Sequence, residues 1–98
     1  MNEDLLALTH TGDDYDRYLH AVVPPVFMNS LHVYEKFEDY CNVDVFKDDE
    51  YVYGRSSNPT VNILERKIAA LEHGSRAVVF SSGMAACTAA IMATCKAG

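Results

Sequence analysis

Ser81-Ser82-Gly83-Met84 lies where a run of β-forming residues gives way to an alanine-rich stretch. The first amides of a helix have no partner within the helix, and the helix dipole places partial positive charge there. A strand-to-helix junction of this kind binds anions, phosphate above all. Gly83 lets the backbone approach a ligand closely, and Ser82 either caps the helix or donates to a phosphate oxygen. The same residues suit an ordinary capped helix start, so the pattern alone leaves both interpretations open.

Tyr53-Gly54-Arg55 is the second group of residues that suits an anion. The arginine fork of donors matches the oxygens of a phosphate, and the tyrosine hydroxyl adds one more donor. The alternative is a surface arginine beside a packing tyrosine. The acidic run 48–50 just before it offers Arg55 an ordinary salt bridge instead.

No other set of side chains predicts catalysis or metal binding. The four histidines show no metal-ligand spacing with one another or with the three cysteines. Ser81 and Ser82 have no recognisably spaced histidine and aspartate to activate them as nucleophiles. The sequence therefore predicts a ligand-binding pattern without catalytic residues.

Charge is distributed unevenly along the chain. Residues 1–50 carry twelve Asp and Glu against three Lys and Arg, and residues 51–98 carry two against five. The acidic first half argues against nucleic acid or an anionic membrane as a partner, because both need a positive surface. An acidic start, no apolar run near the roughly 20 residues that span a bilayer, and an odd number of cysteines favour the cytoplasm.

The second half has the clearer structural pattern. Asn58 suits a helix cap, Pro59 suits the first helical position, and apolar residues then recur on one face as far as Leu71. Residues 77–80 are a continuous apolar run, which predicts a strand buried on both faces. Residues 84–95 are apolar on nearly every side, which predicts a buried helix ending near Gly98. The order predicts the opening of an α/β fold with a parallel sheet.

The first half has little that resembles a self-sufficient core. Its leucines at 5, 6 and 8 favour a short helix, Pro24-Pro25 excludes helix from residues 21–27, and residues 31–40 favour a helical turn or two. We therefore expect residues 1–57 to be an extended arm laid over another surface. Residues 58–98 are expected to begin a larger domain that is incomplete here, since one strand cannot form a sheet.

The motifs together closely resemble the family of pyridoxal-phosphate (PLP) enzymes of Cys/Met metabolism. The resemblance rests on the extended segment 21–26, on the blocks 53–60 and 81–86, and on Leu64-Glu65 and Leu71-Glu72 at their spacing between those blocks. That family includes cystathionine synthases and lyases, methionine γ-lyase and homoserine sulfhydrylases. The resemblance implies the large domain of a fold type I PLP-dependent transferase.

The resemblance also implies roles for individual residues. Gly83 and Met84 would bind the PLP phosphate through their amides, beside Ser82. Tyr53 and Arg55 would reach the phosphate of a neighbouring subunit's cofactor, which implies a dimer or a tetramer. In the whole enzyme PLP would act on a cysteine- or homoserine-like amino acid, with elimination or replacement at carbon–sulfur bonds.

The lysine that holds PLP covalently in this family stands in a Ser/Thr-rich context, and none of the four lysines here does. We therefore expect this chain alone to be inactive. The alternative from a different class is a non-catalytic interaction remnant that docks through its acidic arm. A third possibility, an unrelated phosphate-ligand enzyme, is disfavoured by the Tyr-x-Arg element ahead of the Asn-Pro helix.

Overall fold

The computed structural model describes residues 2–44, 46–47 and 49–98. Within these ranges the chain forms four helices, in the order α1 (Glu3–His10), α2 (Phe37–Cys41), α3 (Pro59–Leu71) and α4 (Gly83–Thr94). The two shorter helices confirm the helical turns that the sequence predicts in the first half. One isolated antiparallel bridge joins Leu31 to Tyr53.

Helix α1 packs against α3, and these are the two helices of the described chain that contact each other. The Asn2 side chain caps α1 by accepting from the amide of Asp4 at 2.8 Å. Ala7 faces the contact and is buried, with 7% of its surface exposed. Gly12 follows with a φ of +89°, and a Cβ placed there would lie 2.8 Å from Cγ2 of Ile63 on α3. The turn at Gly12 therefore closes tightly onto α3.

Helix α3 begins as predicted. The Asn58 side chain accepts from the amide of Thr60 at 2.8 Å, and Pro59 occupies the first turn and is buried. Its C-terminal end is formed by His73 and Gly74. His73, not Gly74, takes the left-handed conformation with a φ of 56°, and the Gly74 amide then donates to the carbonyl of Ala69 at 2.8 Å. The two residues together complete a Schellman-type ending.

Residues 77–80 form no strand among the described residues, so the helix–strand–helix order is confirmed only for its helices. The Val79 amide donates to Oε1 of Glu65 at 3.2 Å, where a ladder partner would otherwise stand. A β-strand exists only with a neighbour to pair with, and the described chain supplies none here.

Helix α4 forms at the predicted place, but the prediction that it is buried is wrong. None of its residues is buried, and the side chains of Met84 and Met92 are 77% and 76% exposed. The expected end at Gly98 is also wrong, because the helix stops at Thr94 with Cys95 as its C-cap. The pattern of apolar residues predicts which faces of a helix favour burial. Burial also needs a second surface that packs against those faces, and the pattern does not predict that surface.

The molecule is open. Its radius of gyration is 16.0 Å, whereas a compact domain of this size has about 13 Å. The predicted boundary between an arm at 1–57 and a domain at 58–98 stays a prediction, and the contact of α1 with α3 spans it. None of the described helices is long and apolar enough to cross a membrane.

Candidate phosphate site

The start of α4 is an open group of backbone donors. Ser82 is extended, with φ −149° and ψ 154°, and its hydroxyl accepts from the amide of Ala85 at 3.1 Å. The Ser82 carbonyl accepts from the amide of Ala86 at 3.2 Å, which begins the helical ladder. The amides of Gly83 and Met84 have no acceptor within the helix and point out of its end. Ser82 therefore caps the helix and leaves two amides for a ligand.

The surroundings of Gly83 suit a bulky anion. A Cβ built on Gly83 would meet no atom within 4 Å, so the approach to its backbone is clear. The first turn of α4 carries no acidic residue, and the positive end of the helix dipole is not opposed there. The side chain of Met84 is exposed and contributes only its backbone to the site. These donors match the oxygens of a phosphate.

Tyr53 and Arg55 form the second half of the candidate site, and the structure brings them together. The guanidinium carbon of Arg55 lies 5.2 Å from the centre of the Tyr53 ring, a cation–π contact. The Tyr53 carbonyl accepts from the amides of Ser56 and Ser57 at 3.0 and 3.1 Å, so the chain turns directly after the pair. Both side chains remain exposed, and Tyr53 is 37% exposed. The pair therefore presents a cation and a phenol to solvent.

The segment that carries this pair is fixed by the bridge at Leu31. The Gly54 amide donates to the carbonyl of Ser30 at 2.7 Å, and the amide of His32 donates to the carbonyl of Val52 at 3.1 Å. A Cβ on Gly54 would stand 3.0 Å from the carbonyl oxygen of Asn29. Glycine at position 54 therefore suits the close approach of the two segments, because a larger residue would press on the backbone at Asn29.

The salt bridge that the acidic run offered to Arg55 is not what the described residues show. Asp49 instead accepts a hydrogen bond from Nη1 of Arg17. That hydrogen bond lowers the pKa of Asp49, with burial acting in the opposite direction, and raises the pKa of Arg17. Asp48 lies outside the described residues. Asp49 is thus neutralised by Arg17, and the charge of Arg55 faces Tyr53.

The two halves of the site do not line one pocket. A groove of about 710 Å³ runs beside Arg55, between the turn that follows it, one face of α3 and the segment 76–79. Lys47 and Arg76 add positive charge to its wall, and Glu65 is the acid among its lining residues. Ser82, Gly83 and Met84 are not part of that wall. The structure therefore presents two separate surfaces that are candidates for a phosphate.

The hydrogen bonds that join the start of α3 to other segments were not predicted from the sequence. The side-chain amide of Asn58 donates from Nδ2 to the carbonyl of Phe27 at 3.1 Å, and the backbone amide of Phe27 donates to Oγ1 of Thr60 at 2.9 Å. Tyr51 accepts hydrogen bonds from the hydroxyl of Tyr34 and from the side-chain amide of Asn62 on α3. The polar types at 58 and 60 were the available signal, since a side chain with both donor and acceptor can cap a helix and bind a second segment.

Residues 6–98 match the sequence model of the Cys/Met metabolism PLP-dependent enzyme family. The chain belongs to this family. Its members use PLP, and the open amides at the start of α4 are donors of the kind that hold a phosphate. The fold type I architecture of the family follows for the whole enzyme, while the described residues show its helices alone.

Relatives with assigned activities agree with this membership. The chain is 32% identical over 89 residues to homocysteine synthase of Schizosaccharomyces pombe, which covers 91% of this chain and 21% of that protein. It is 39% identical over 89 residues to O-acetyl-L-homoserine sulfhydrylase of Corynebacterium glutamicum, covering 91% of this chain and 20% of that protein. L-Methionine gamma-lyase of Fusobacterium nucleatum is 38% identical over 74 residues, covering 76% and 19%. The chain thus spans about a fifth of the length of these relatives.

Proposed function

We propose that this chain is the N-terminal part of a PLP-dependent enzyme of the transsulfuration type. The whole enzyme eliminates or replaces groups at carbon–sulfur bonds of cysteine- or homoserine-type amino acids. The activities of the relatives, a homocysteine synthase, an O-acetyl-L-homoserine sulfhydrylase and an L-methionine gamma-lyase, support that reaction class. The observation that carries the proposal is the pair of open amides at Gly83 and Met84, capped but not covered by Ser82.

PLP, when bound, supplies an electron sink for the reaction. The residues of this chain hold the phosphate that anchors it. Gly83 and Met84 donate their amides to phosphate oxygens, and the dipole of α4 favours the negative charge. Ser82 keeps the helix start in the required geometry, because its hydroxyl already satisfies the amide of Ala85.

Tyr53 and Arg55 bind the phosphate of a second cofactor, in a neighbouring subunit. Their groove excludes the start of α4, which supports an arrangement in which one chain serves two sites. The arginine fork and the tyrosine hydroxyl complement phosphate oxygens from the solvent side. This arrangement requires at least a dimer, with residues 1–57 as the arm that reaches the partner and residues 58–98 as the start of the PLP-binding domain.

The chain by itself performs no turnover, because none of its four lysines stands in the context that this chemistry requires. Purified chain is expected to release no product from a sulfur amino acid. Product that increases in proportion to chain concentration would contradict this. A soluble chain with a cooperative melt and no PLP binding would instead indicate the alternative, a non-catalytic interaction remnant of the fold.

The decisive experiment compares PLP with pyridoxal, which lacks the phosphate. It uses the whole gene product that contains this chain and measures affinity by fluorescence titration. We expect PLP to bind at least about tenfold more tightly than pyridoxal, since several charge-assisted hydrogen bonds go to the phosphate. Arg55→Ala should weaken PLP binding by about tenfold and leave pyridoxal unchanged.

Lys36→Ala is the matched control, because Lys36 is an exposed cation at the start of α2 and does not line this groove. Its affinity for PLP should equal that of the unmodified protein. Equal affinities for PLP and pyridoxal in the unmodified protein would overturn the proposed function.

A further inference from the structure

Tyr51, two residues before Tyr53, is held at three points. Its carbonyl accepts from the hydroxyl of Tyr34 at 2.6 Å, and its own hydroxyl accepts from the side-chain amide of Asn62 at 3.0 Å. Its ring stacks on His32, with the ring centres 5.4 Å apart and the planes inclined by 30°. Backbone, hydroxyl and ring are thus each engaged by a different residue.

The three contacts come from two parts of the chain. Asn62 lies in the first turns of α3, so its hydrogen bond ties Tyr51 to the most regular element nearby. Tyr34 and His32 follow the bridge at Leu31. Tyr51, Tyr34 and Asn62 are each partly buried, so these hydrogen bonds are less exposed to competition from water than surface ones.

The Tyr53–Arg55 pair needs such a support. Both side chains are exposed, and an arginine loses much rotamer freedom when it binds a ligand. The antiparallel bridge holds the backbone at Val52 and Gly54, and Tyr51 lies directly before this stretch. A backbone held two residues upstream reduces the freedom of the segment before any ligand arrives, and such preorganisation raises affinity.

We propose that Tyr51, locked by Asn62 and Tyr34, is a positioning residue that sets how tightly the Tyr53–Arg55 pair grips a phosphate. This inference rests on the proposed function, in which that pair binds the cofactor phosphate. Tyr51 itself does not touch the ligand in this role. It acts through the backbone that it shares with Tyr53.

The test uses Asn62→Ala in the whole gene product, with PLP and pyridoxal as the two probes. Loss of one partly buried hydrogen bond should weaken PLP binding by about fivefold. Pyridoxal affinity should not change, because it has no phosphate to grip. Tyr51→Phe keeps the ring on His32 but removes the hydroxyl, so it should give the same loss. The double variant should be no worse than either single variant, since both remove one shared interaction.

Asn62→Asp is the conservative variant. Its carboxylate accepts a hydrogen bond from the Tyr51 hydroxyl, so the contact is restored with its direction reversed, and PLP affinity should recover. Asn42→Ala, at the exposed C-cap of α2, is the matched asparagine control and should bind both probes normally. Thermal melts of every variant test whether the fold is retained.

The outcomes separate the two levels of the proposal. If Arg55→Ala weakens PLP binding but Asn62→Ala and Asn62→Asp do not differ, the positioning role is wrong and the proposed function stands. Equal weakening of PLP and pyridoxal by Asn62→Ala would also overturn the positioning role, since the contact would then be structural only. If Arg55→Ala has no effect, the phosphate grip itself is wrong and the positioning role is wrong with it.

Discussion

Two helices of this molecule begin with the same device and use it differently. Asn58 caps α3 and Ser82 caps α4, each with a side-chain oxygen that accepts a backbone amide in the first turn. At α3 the cap also binds Phe27, and Pro59 is buried beneath that contact. At α4 a Cβ on Gly83 would meet nothing within 4 Å.

The starts of α3 and α4 therefore have different roles, one in stability and one in binding. At α3, side chains of the cap and first turn bind a segment thirty residues earlier, so this end anchors the N-terminal region. At α4, the cap satisfies only its own helix and leaves two amides directed at solvent. The first arrangement gives stability, and the second keeps binding capacity available to an anion.

Removing the two helix caps should lower the free energy of unfolding by different amounts at α3 and α4, and these are the largest effects expected. Asn58→Ala loses the cap and the hydrogen bond to Phe27 together, and we expect it to lower the free energy of unfolding by about 2 kcal/mol. Ser82→Ala loses a cap alone and should lower it by about 1 kcal/mol. Urea unfolding of the whole gene product measures both. An equal loss from the two variants would show that the tie to Phe27 contributes nothing.

Gly83→Ala tests anion binding at the start of α4 separately from the stability of the helix. The added methyl group meets no protein atom, so the unfolding midpoint should stay within the error of the unmodified protein. The methyl group does obstruct a phosphate on the Gly83 amide, and PLP affinity should fall by about tenfold, which is about 1.4 kcal/mol. Gly74→Ala, whose Cβ would lie 3.9 Å from its nearest neighbours, is the control. Unchanged PLP affinity in Gly83→Ala would place the phosphate elsewhere.

The ion pair of Arg17 with Asp49 should give the smallest effect, because both side chains are nearly half exposed. Asp49→Asn should lower stability at neutral pH by less than about 1 kcal/mol. The pKa of Asp49 is lowered in the folded state, so the contribution is present above the pKa of the unfolded carboxylate and is lost as the pH falls through the folded value. Unfolding curves of variant and unmodified protein should therefore converge in acid. A difference that persists at low pH would contradict this assignment.

The sequence predicted the helices better than their surroundings. Asn58-Pro59 and Ser82-Gly83 are local signals, since a cap acts within three residues, and both helices begin where these signals lie. The exposure of α4 was not predictable in this way. Burial depends on which surface comes to lie against a helix, and periodicity contains no information about that surface.

The candidate site likewise has contacts that the sequence predicts and contacts that it does not. Tyr53 and Arg55 are close in sequence, and their contact follows from an arginine two residues after an aromatic ring. Tyr34 and Asn62 support that pair through their hydrogen bonds to Tyr51. They lie 17 and 11 positions from Tyr51 in the sequence. Such contacts are set by how the chain turns between them. The strand predicted at 77–80 depends on a partner even more directly, because its hydrogen bonds are all made to another strand.

The bridge between Leu31 and Tyr53 has a consequence for the evolution of chain length. It closes a loop over residues 32–52, and the pair at Tyr53 and Arg55 stands just past the point of closure. The entropy of closing a loop grows only with the logarithm of its length, by about 0.6 kcal/mol for each doubling. Insertions and deletions between the hydrogen-bonded residues of this loop should therefore be well tolerated. Changes in the length of this loop should leave Tyr53 and Arg55 in place as long as the contacts of Asp49 with Arg17 and of Tyr51 with Tyr34 are kept.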